Sequence, residues 1–293
     1  MKEARDNLKS IRSRITLSFV LQYACMSLGA LVFMFPLVWM VSRSFMGLAD
    51  LYTHPPLIFP TQVSFQAYSE IWSIKPFLLY FKNTMIVVLF TVIGAALTSA
   101  ICAFGFARLN FPGRNMIFGM VLATMMLPAA VTIIPLYVLF SNLGWINTLY
   151  PLTVPAFFGG GAFNIFLLRQ FFASLPRDFD EAARVDGSST WTIFWRICMP
   201  LCAPALTVVM VLAFKGAWDD FMGPLIYLNS EDKFTLALGL LSISPAGVGV
   251  APYANTAHVM AICSLTILPV ITIFMVAQKK LISGAVVSTG IKG

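Results

Sequence analysis

Long apolar segments alternate with short polar stretches along this chain of 293 residues. The apolar segments cover residues 15–41, 77–107, 116–140, 149–172, 201–228 and 257–277. Each is close to or longer than the roughly 20 residues that a helix needs to cross the hydrocarbon core of a bilayer. The pattern therefore predicts an all-α membrane protein with six transmembrane helices. These form one domain, residues 15–280, between tails at 1–14 and 281–293.

Composition supports a membrane protein and gives no sign of a metal site. Hydrophobic residues make up 59% of the chain and charged residues 11%, too few charges to surround a soluble core of this size. The five cysteines lie in or beside apolar segments without a CxxC pair, which favours packing roles over metal binding or disulfides. His54 and His258 have no acidic or thiol neighbour at ligand spacing, so both are predicted to be ordinary loop or interface residues.

Most basic residues fall on one side of the predicted bundle. If the spans alternate in direction, both tails and the loop at 176–200 share this basic side, whereas the opposite side carries Arg43, Lys75, Lys82 and Lys233. Positively charged loops stay in the cytoplasm. The pattern therefore predicts cytoplasmic N- and C-termini. It also explains the net charge of +7 by topology, without nucleic-acid binding.

The loop at 176–200 is a charged stretch between the fourth and fifth apolar segments. Pro176 suits the first position of a helix, and Gly187 permits a left-handed stop, so the sequence predicts a helix of about ten residues between them. This helix would carry an apolar face of Phe179, Ala182 and Ala183 and local ion pairs Asp180–Arg184 and Arg177–Glu181.

A second helix is predicted to follow the turn at Gly187. Ser188 or Ser189 can cap it, and Pro200 is expected to end it. Its predicted apolar face consists of Trp191, Phe194, Trp195 and Cys198. The two tryptophans also suit a membrane–water boundary.

These residues resemble a known motif. EAARVDG at 181–187, followed by ICMP at 197–200, is similar to the EAA loop of permeases of ATP-binding cassette (ABC) importers, with Met199 where the family usually has leucine. The stretches FPLVWMVSRSF, ARLNFPGRN, IIPLYVLFSNLGWINT, FNIFLLRQFF and WDDFMGPLIYL resemble the carbohydrate-uptake branch, specifically the maltose-type second membrane subunit. The resemblance covers most of the chain.

The resemblance implies a function and a set of partners. The chain would be a permease in a bacterial plasma (inner) membrane that imports a sugar, an oligosaccharide or a related polyol or glycerol-phosphate compound by alternating access. Two ATP-binding subunits, an extracytoplasmic substrate-binding protein and a second permease would complete the importer. A heterodimer of permeases is favoured, and a homodimer stays open. The coupling helix that docks on the ATPase would contain Glu181, Ala182, Ala183, Arg184, Asp186 and Gly187.

Sequence motifs give no reason to expect an enzyme. The chain has neither the GxxxxGK[ST] phosphate loop nor the HExxH zinc motif. ATP hydrolysis is therefore assigned to the partner subunits, where ATP and Mg²⁺ would bind, and no cofactor is expected in this chain.

Lys215, Asp219 and Asp220 are charged residues within the fifth apolar segment. Such residues usually face a bundle interior or an aqueous cavity. They could line the translocation pathway, or Lys215 and Asp219, four residues apart, could form a compensated pair that holds the bundle, with Asp220 at the outer interface. The resembling family commonly has asparagine at the position of Asp219.

Residues 229–256 are predicted to form an external loop. In the resembling family the equivalent loop approaches the binding protein, so Glu231, Asp232 and Lys233 are candidate contacts to it. A solvated loop is the alternative. For the whole chain, the alternative function is a secondary transporter driven by an ion gradient, which would need its own coupling-ion site near the midplane of the membrane.

Overall fold

The computed structural model describes residues 2–243 and 256–290, with side chains at 19–243 and 256–279. Within these ranges every regular element is a helix, as the apolar pattern predicts. The α-helices are α1 (Lys2–Ser44), α2 (Leu48–Leu51), α3 (Gln66–Ile74), α4 (Phe77–Arg108), α5 (Arg114–Ala123), α6 (Ala129–Asn142), α7 (Tyr150–Thr153), α8 (Ala162–Ser174), α9 (Asp178–Val185), α10 (Thr190–Ile193), α11 (Met199–Leu201), α12 (Ala203–Trp218), α13 (Met222–Tyr227), α14 (Leu236–Leu241) and α15 (Thr256–Gly290). Short 3₁₀ turns cover Thr124–Met126, Val154–Phe157 and Glu231–Lys233, and a π-helical turn covers Phe194–Cys198.

Four helical stretches of the described chain are long and apolar enough to cross a membrane. They are Phe19–Ser44, Phe77–Arg108, Tyr150–Ser174 and Thr256–Lys279. Two further pairs pass the same test but are bent, by 102° between Arg114–Met126 and Ala129–Asn142 and by 79° between Thr190–Leu201 and Ala203–Trp218. The number of spans is therefore four, or up to six if each bent pair counts as one.

Three of the predicted continuous segments are interrupted, each next to proline or glycine. Leu127 is extended because it precedes Pro128, and this separates α5 from α6. Positive φ angles at Gly159, Gly160 and Gly161 separate the turn after α7 from α8. Pro204, in the first turn of α12, lacks the N–H that would continue the helix from α11. That fifth segment also stops at Trp218, before the separate helix α13.

The larger structural unit, residues 72–243 and 266–293, is built around α4. Helices α8 and α12 both pack against α4. Their shared core contains small side chains of α4, such as Ala100 and Ala103, against Leu168 of α8 and Val209 of α12. Small residues let helix backbones approach closely, which is the usual way in which helices pack within a membrane.

The smaller unit, residues 1–71 and 244–265, contains α1, α2 and the start of α15. Met46 and Leu51 pack with Ala257 and Ala261 in a small core. Nε2 of His258 lies 2.9 Å from a carboxylate oxygen of Glu70, so His258 has an acidic neighbour in space although it has none at ligand spacing along the sequence. Hydrogen bonds from Gln66 and His258 lower the pKa of Glu70. Sequence spacing missed this pair because the two residues are far apart along the chain.

Candidate coupling site

Helix α9 is the predicted coupling helix, and its end has the predicted geometry. The helix starts at Asp178, so Pro176 lies before it and not at its first position. Gly187 has a φ of +77°, which confirms the left-handed stop. The N–H of Gly187 donates to the carbonyl of Arg184 (3.0 Å) and that of Ser188 to the carbonyl of Ala183 (2.9 Å). This pair of bonds is the Schellman motif, which satisfies the last carbonyls of a helix.

The segment after Gly187 differs from the single helix that the sequence predicts. Ser189 caps α10, accepting a hydrogen bond from the N–H of Thr192 (3.1 Å), as expected. The chain then passes through the π-helical turn at Phe194–Cys198, so α11 continues past Pro200 to Leu201. Proline is tolerated there because it occupies the first turn of α11, where an N–H is not needed.

The predicted apolar face of this segment is divided. Phe194 and Cys198 are buried, whereas Trp191 and Trp195 are exposed. A π-helical turn has a wider repeat than an α-helix, so spacing that assumes an α-helix misplaces the side chains around it. Cys202 is buried as well, so Cys198 and Cys202 pack in the core as predicted, whereas Cys25 is exposed.

The side chains of α9 divide into an inward and an outward set. Ala183 is buried in the chain's own core, beside Ile193 and Phe194. Glu181, Ala182, Arg184, Val185, Asp186 and Phe179 are exposed. Ala183 therefore anchors the helix. Phe179 and Ala182, which the spacing places on the same face as Ala183, are exposed instead. The surface left free is short and carries both charged and apolar groups.

Arg108, at the end of α4, binds α9 through an ion pair that the sequence did not predict. Its Nη1 lies 3.3 Å from Oδ2 of Asp180, and its Nη2 donates to the carbonyl of Leu175 at 3.0 Å. The two side chains are only 4% and 16% exposed. The Cys198 thiol lies 3.9 Å from the other carboxylate oxygen of Asp180. The predicted local pairs Asp180–Arg184 and Arg177–Glu181 are absent from the described residues, and Asp180 turns inward to Arg108 instead of pairing with Arg184.

The charges of the fifth apolar segment lie at and after the end of α12. Nζ of Lys215 lies 2.9 Å from a carboxylate oxygen of Asp219, so the expected i, i+4 pair is present, and both side chains are more than half exposed. Asp219 is the C-terminal cap of α12. Asp220 is half-buried and accepts a hydrogen bond from the backbone N–H of Gly223 (3.0 Å). The three residues cluster at one end of the helix and do not line its length.

The candidate contacts to a binding protein are largely engaged within the chain. A carboxylate oxygen of Glu231 lies 2.6 Å from Nζ of Lys75 and accepts a hydrogen bond from the hydroxyl of Tyr80 at 2.7 Å. Asp232 and Lys233 pair with each other at 3.3 Å, with side chains that are 60% and 45% exposed. The predicted loop is thus partly helical, with the 3₁₀ turn Glu231–Lys233 followed by α14. Residues 244–255 of that loop lie outside the described residues, as do 291–293 of the predicted C-terminal tail.

A cavity of about 470 Å³ lies between α4, α12 and the later part of α15. Its lining is apolar apart from Thr207 and Thr272, whose hydroxyls donate to carbonyls of their own helices. Such a cavity offers few partners for the hydroxyl groups of a sugar. Across the described residues, no group of three His, Cys, Asp or Glu side chains is placed to hold a metal ion.

Known proteins of similar sequence and structure are membrane subunits of transporters. The chain is 30% identical over 266 residues to the diacetylchitobiose uptake system permease protein NgcG of Streptomyces coelicolor, covering 91% of this chain and 86% of that protein. It is 37% identical over 219 residues to the arabinooligosaccharides transport system permease protein AraQ of Bacillus subtilis, covering 73% and 75%. A chain from the crystal structure of a bacterial ABC transporter involved in the import of the acidic polysaccharide alginate matches with a TM-score of 0.80 and 25% identity. That match covers 89% of this chain and 95% of the other.

The family assignment rests on a longer match than the EAA-like loop alone. A family model described as "binding-protein-dependent transport system inner membrane component" matches residues 95–285. This range contains the C-terminal part of α4, the whole of α9 and the π-helical turn that follows α10. The chain therefore belongs to the family of inner membrane components of binding-protein-dependent transport systems.

Proposed function

We propose that this chain is a permease subunit of an ATP-driven ABC importer and that its substrate is a carbohydrate or a related polyol or glycerol-phosphate compound. The substrate class rests on the relatives, whose names specify oligosaccharide uptake. The observation that carries the mechanism is α9. It is a short helix whose end is fixed by Gly187, with charged and apolar side chains left exposed.

The exposed side of α9 suits docking into a groove of a partner ATPase. Phe179 is 49% exposed on this short helix, and Val185 at its end is 88% exposed. Glu181 and Arg184 flank it with opposite charges, which can fix orientation at an interface. Two ATP-binding subunits would hold ATP and Mg²⁺, and this chain would need no cofactor. Nucleotide-driven closure of those subunits would move α9 and, through it, the spanning helices.

The proposed membrane topology has six spans, with each bent pair counted as one. The N- and C-termini and α9 would face the cytoplasm, with Asp232 and Lys233 outside, near the binding protein. The exposed apolar side chains of α1, among them Phe33, suit contact with lipid or with a second, non-identical permease. A cysteine at Asp232 should react with a membrane-impermeant reagent in intact cells, whereas one at Val185 should not. The reverse labelling would overturn this orientation.

A carrier driven by an ion gradient is less well supported. It would need a coupling-ion site near the midplane of the membrane. Lys215 and Asp219 already neutralise each other at 2.9 Å, and they lie at one end of α12. The same polar cluster could border the translocation pathway of an ABC importer, and we retain Lys215, Asp219 and Asp220 as candidates for that role.

Docking is tested by Gly187→Val and Glu181→Lys in the complete importer. A β-branched residue is strained at the φ of +77° found at Gly187, which should misplace α9. Glu181→Lys keeps the turn and reverses one exposed charge. Both variants should insert normally into the membrane but lose ATPase association and carbohydrate uptake.

A matched control is available at Gly144. This residue has a φ of +69°, and, as at Gly187, a Cβ there would meet no atom within 4 Å. Gly144→Val therefore adds similar backbone strain in the turn after α6, far along the chain from α9. It should keep ATPase association. If Gly187→Val and Glu181→Lys keep full association and uptake, α9 is not the coupling element.

A further inference from the structure

We propose that Arg108 is a positioning residue for coupling, which fastens α9 to the end of α4 so that the two helices move together. This inference rests on the proposed docking of α9 to an ATPase. Arg108 itself is buried and contacts no partner under this proposal. It acts through Asp180, on the inward side of the coupling helix.

The contacts of Arg108 hold α9 at two points. One nitrogen donates to the carbonyl of Leu175, before the helix starts, and another pairs with Asp180, within its first turn. A single guanidinium therefore spans the turn at which the chain enters α9. Arginine suits this role because its planar group presents several donors in a rigid fork.

Burial makes this attachment persistent. With 4% and 16% of their side chains exposed, Arg108 and Asp180 are poorly screened by water. Separating them would leave a buried charge without its partner, which is strongly unfavourable. The pair should therefore stay closed while the coupling helix moves, and α4 should follow the movement.

Two other contacts near α9 do not duplicate this attachment. Ala183 packs into the core, but an alanine side chain resists rotation of the helix only weakly. The aromatic cluster at the end of α4 binds a different segment. There Phe104 lies 5.1 Å from Phe194, ring centre to ring centre, and Phe194 belongs to the turn that follows α10. The aromatic cluster therefore holds the π-helical turn after Gly187, and Arg108 holds α9 before it.

The arrangement gives α4 a specific task. Its last residue holds the coupling helix, and the helix runs without interruption from Arg108 back to Phe77, long enough to cross the membrane. A rigid helix transmits displacement over its whole length. Movement of α9 would then reach the other face of the membrane through α4. How much of that movement is transmitted would depend on Arg108.

The test uses Asp180→Asn and Arg108→Gln in the reconstituted importer, including the binding protein and a carbohydrate that stimulates it. Asp180→Asn preserves the shape of the side chain and removes only its charge. ATPase association should stay within about twofold of the parent, because the exposed side of α9 is unchanged. Substrate transported per ATP hydrolysed should fall by about fivefold or more, the scale of typical coupling between sites.

Asp178→Asn is the matched control. Asp178 is on the same helix, is exposed, and forms no ion pair among the described residues, so the same substitution there should leave transport per ATP unchanged. Arg108→Lys keeps the charge but not the fork, and it should give an intermediate ratio. Amide hydrogen exchange at 178–185 in the isolated permease should be faster in Asp180→Asn than in Asp178→Asn.

The outcomes separate this inference from the docking proposal. An unchanged ratio of transport to ATP hydrolysis in both Asp180→Asn and Arg108→Gln overturns the role of Arg108. A loss of ATPase association in proportion to transport also overturns it, because the pair would then only support the docking surface. If Arg108→Gln does not accumulate in the membrane, Asp180→Asn alone decides. Failure of docking itself would instead appear as normal ATPase association in Glu181→Lys.

Discussion

The two ends of α4 are fastened in different ways. At the Arg108 end, a buried ion pair joins α4 to α9 at 3.3 Å. At the Phe77 end, Lys75 and Glu231 approach more closely, to 2.6 Å, yet their side chains are 29% and 46% exposed. Water and salt screen an exposed pair, so the shorter distance does not make the stronger attachment. Burial, more than distance, determines how strongly each ion pair holds its end of α4.

Neutral groups do most of the fastening at the Phe77 end. Asn83 is buried and donates from its side-chain amide to the carbonyls of Asp232 and Phe234, both at 3.0 Å. The buried hydroxyl of Thr84 accepts a hydrogen bond from the N–H of Leu236 at 2.8 Å. These bonds hold the backbone of residues 232–236 against α4 without a buried charge. The Phe77 end should therefore be sensitive to shape and hydrogen bonding, and the Arg108 end to charge.

The largest expected effect at the Phe77 end comes from Gly239→Ala in α14. A Cβ at Gly239 would overlap the ring of Tyr80, which is fully buried and cannot move into solvent. Displacing the ring would also break the hydrogen bond from Tyr80 to Glu231. We expect a loss of roughly 2–3 kcal/mol in the free energy of unfolding. Thermal unfolding of the permease in detergent, followed by tryptophan fluorescence, measures it.

Gly105→Ala is the control for this substitution. Gly105 lies in α4, and a Cβ there would meet no atom within 4 Å. Alanine has the better helix propensity, so this variant should be as stable as the parent or slightly more stable. Equal losses in Gly105→Ala and Gly239→Ala would show that contact with Tyr80 does not limit packing at this end.

The next largest effect is expected for Asn83→Ala. The substitution removes two hydrogen bonds at once and leaves the carbonyls of Asp232 and Phe234 without that donor. We expect a loss of about 1–2 kcal/mol in the free energy of unfolding, measured in the same way. Asn115→Ala, at an exposed asparagine of α5, is the control and should change stability little. If Asn83→Ala is as mild as this control, neutral hydrogen bonds do not hold the Phe77 end.

The contrast between the two ends also shows what the sequence could predict. The apolar segments follow from composition along the chain, and the turn at Gly187 follows from local spacing; both are properties of neighbouring residues. The pairs Arg108–Asp180 and Lys75–Glu231 join residues far apart in sequence, and no local pattern specifies them. The useful signal was the position of Arg108, a charged residue that ends a long apolar segment.

The interrupted helices form an intermediate case. Pro128 carries a local signal, because a residue before proline avoids the helical region, and the prediction of one span from 116 to 140 overlooked it. The π-helical turn at Phe194–Cys198 has no such signal. Phe194 and Cys198 are buried there in a core that also contains residues of α4, α8 and α12, so packing with distant segments decides its geometry. Patterns of neighbouring residues therefore predict where a helix ends better than they predict the geometry of a π-helical turn.

The smallest expected effect is that of Glu231→Gln, which removes the charge from the exposed pair but keeps a side chain that can accept from Tyr80. We expect a loss of less than about 1 kcal/mol at neutral pH, decreasing further in 1 M salt.

Hydrogen bonds from Lys75 and then from Tyr80 lower the pKa of Glu231 in the folded chain. Its stabilising contribution is therefore complete above the pKa of an unfolded glutamate, about 4.3, and is lost as the pH falls through the lower folded value. The difference in stability between parent and Glu231→Gln should be constant from about pH 8 to 5 and should shrink below about pH 4. A Glu231→Gln loss as large as that of Asn83→Ala, or a difference that grows on acidification, would show that charge fastens both ends of α4.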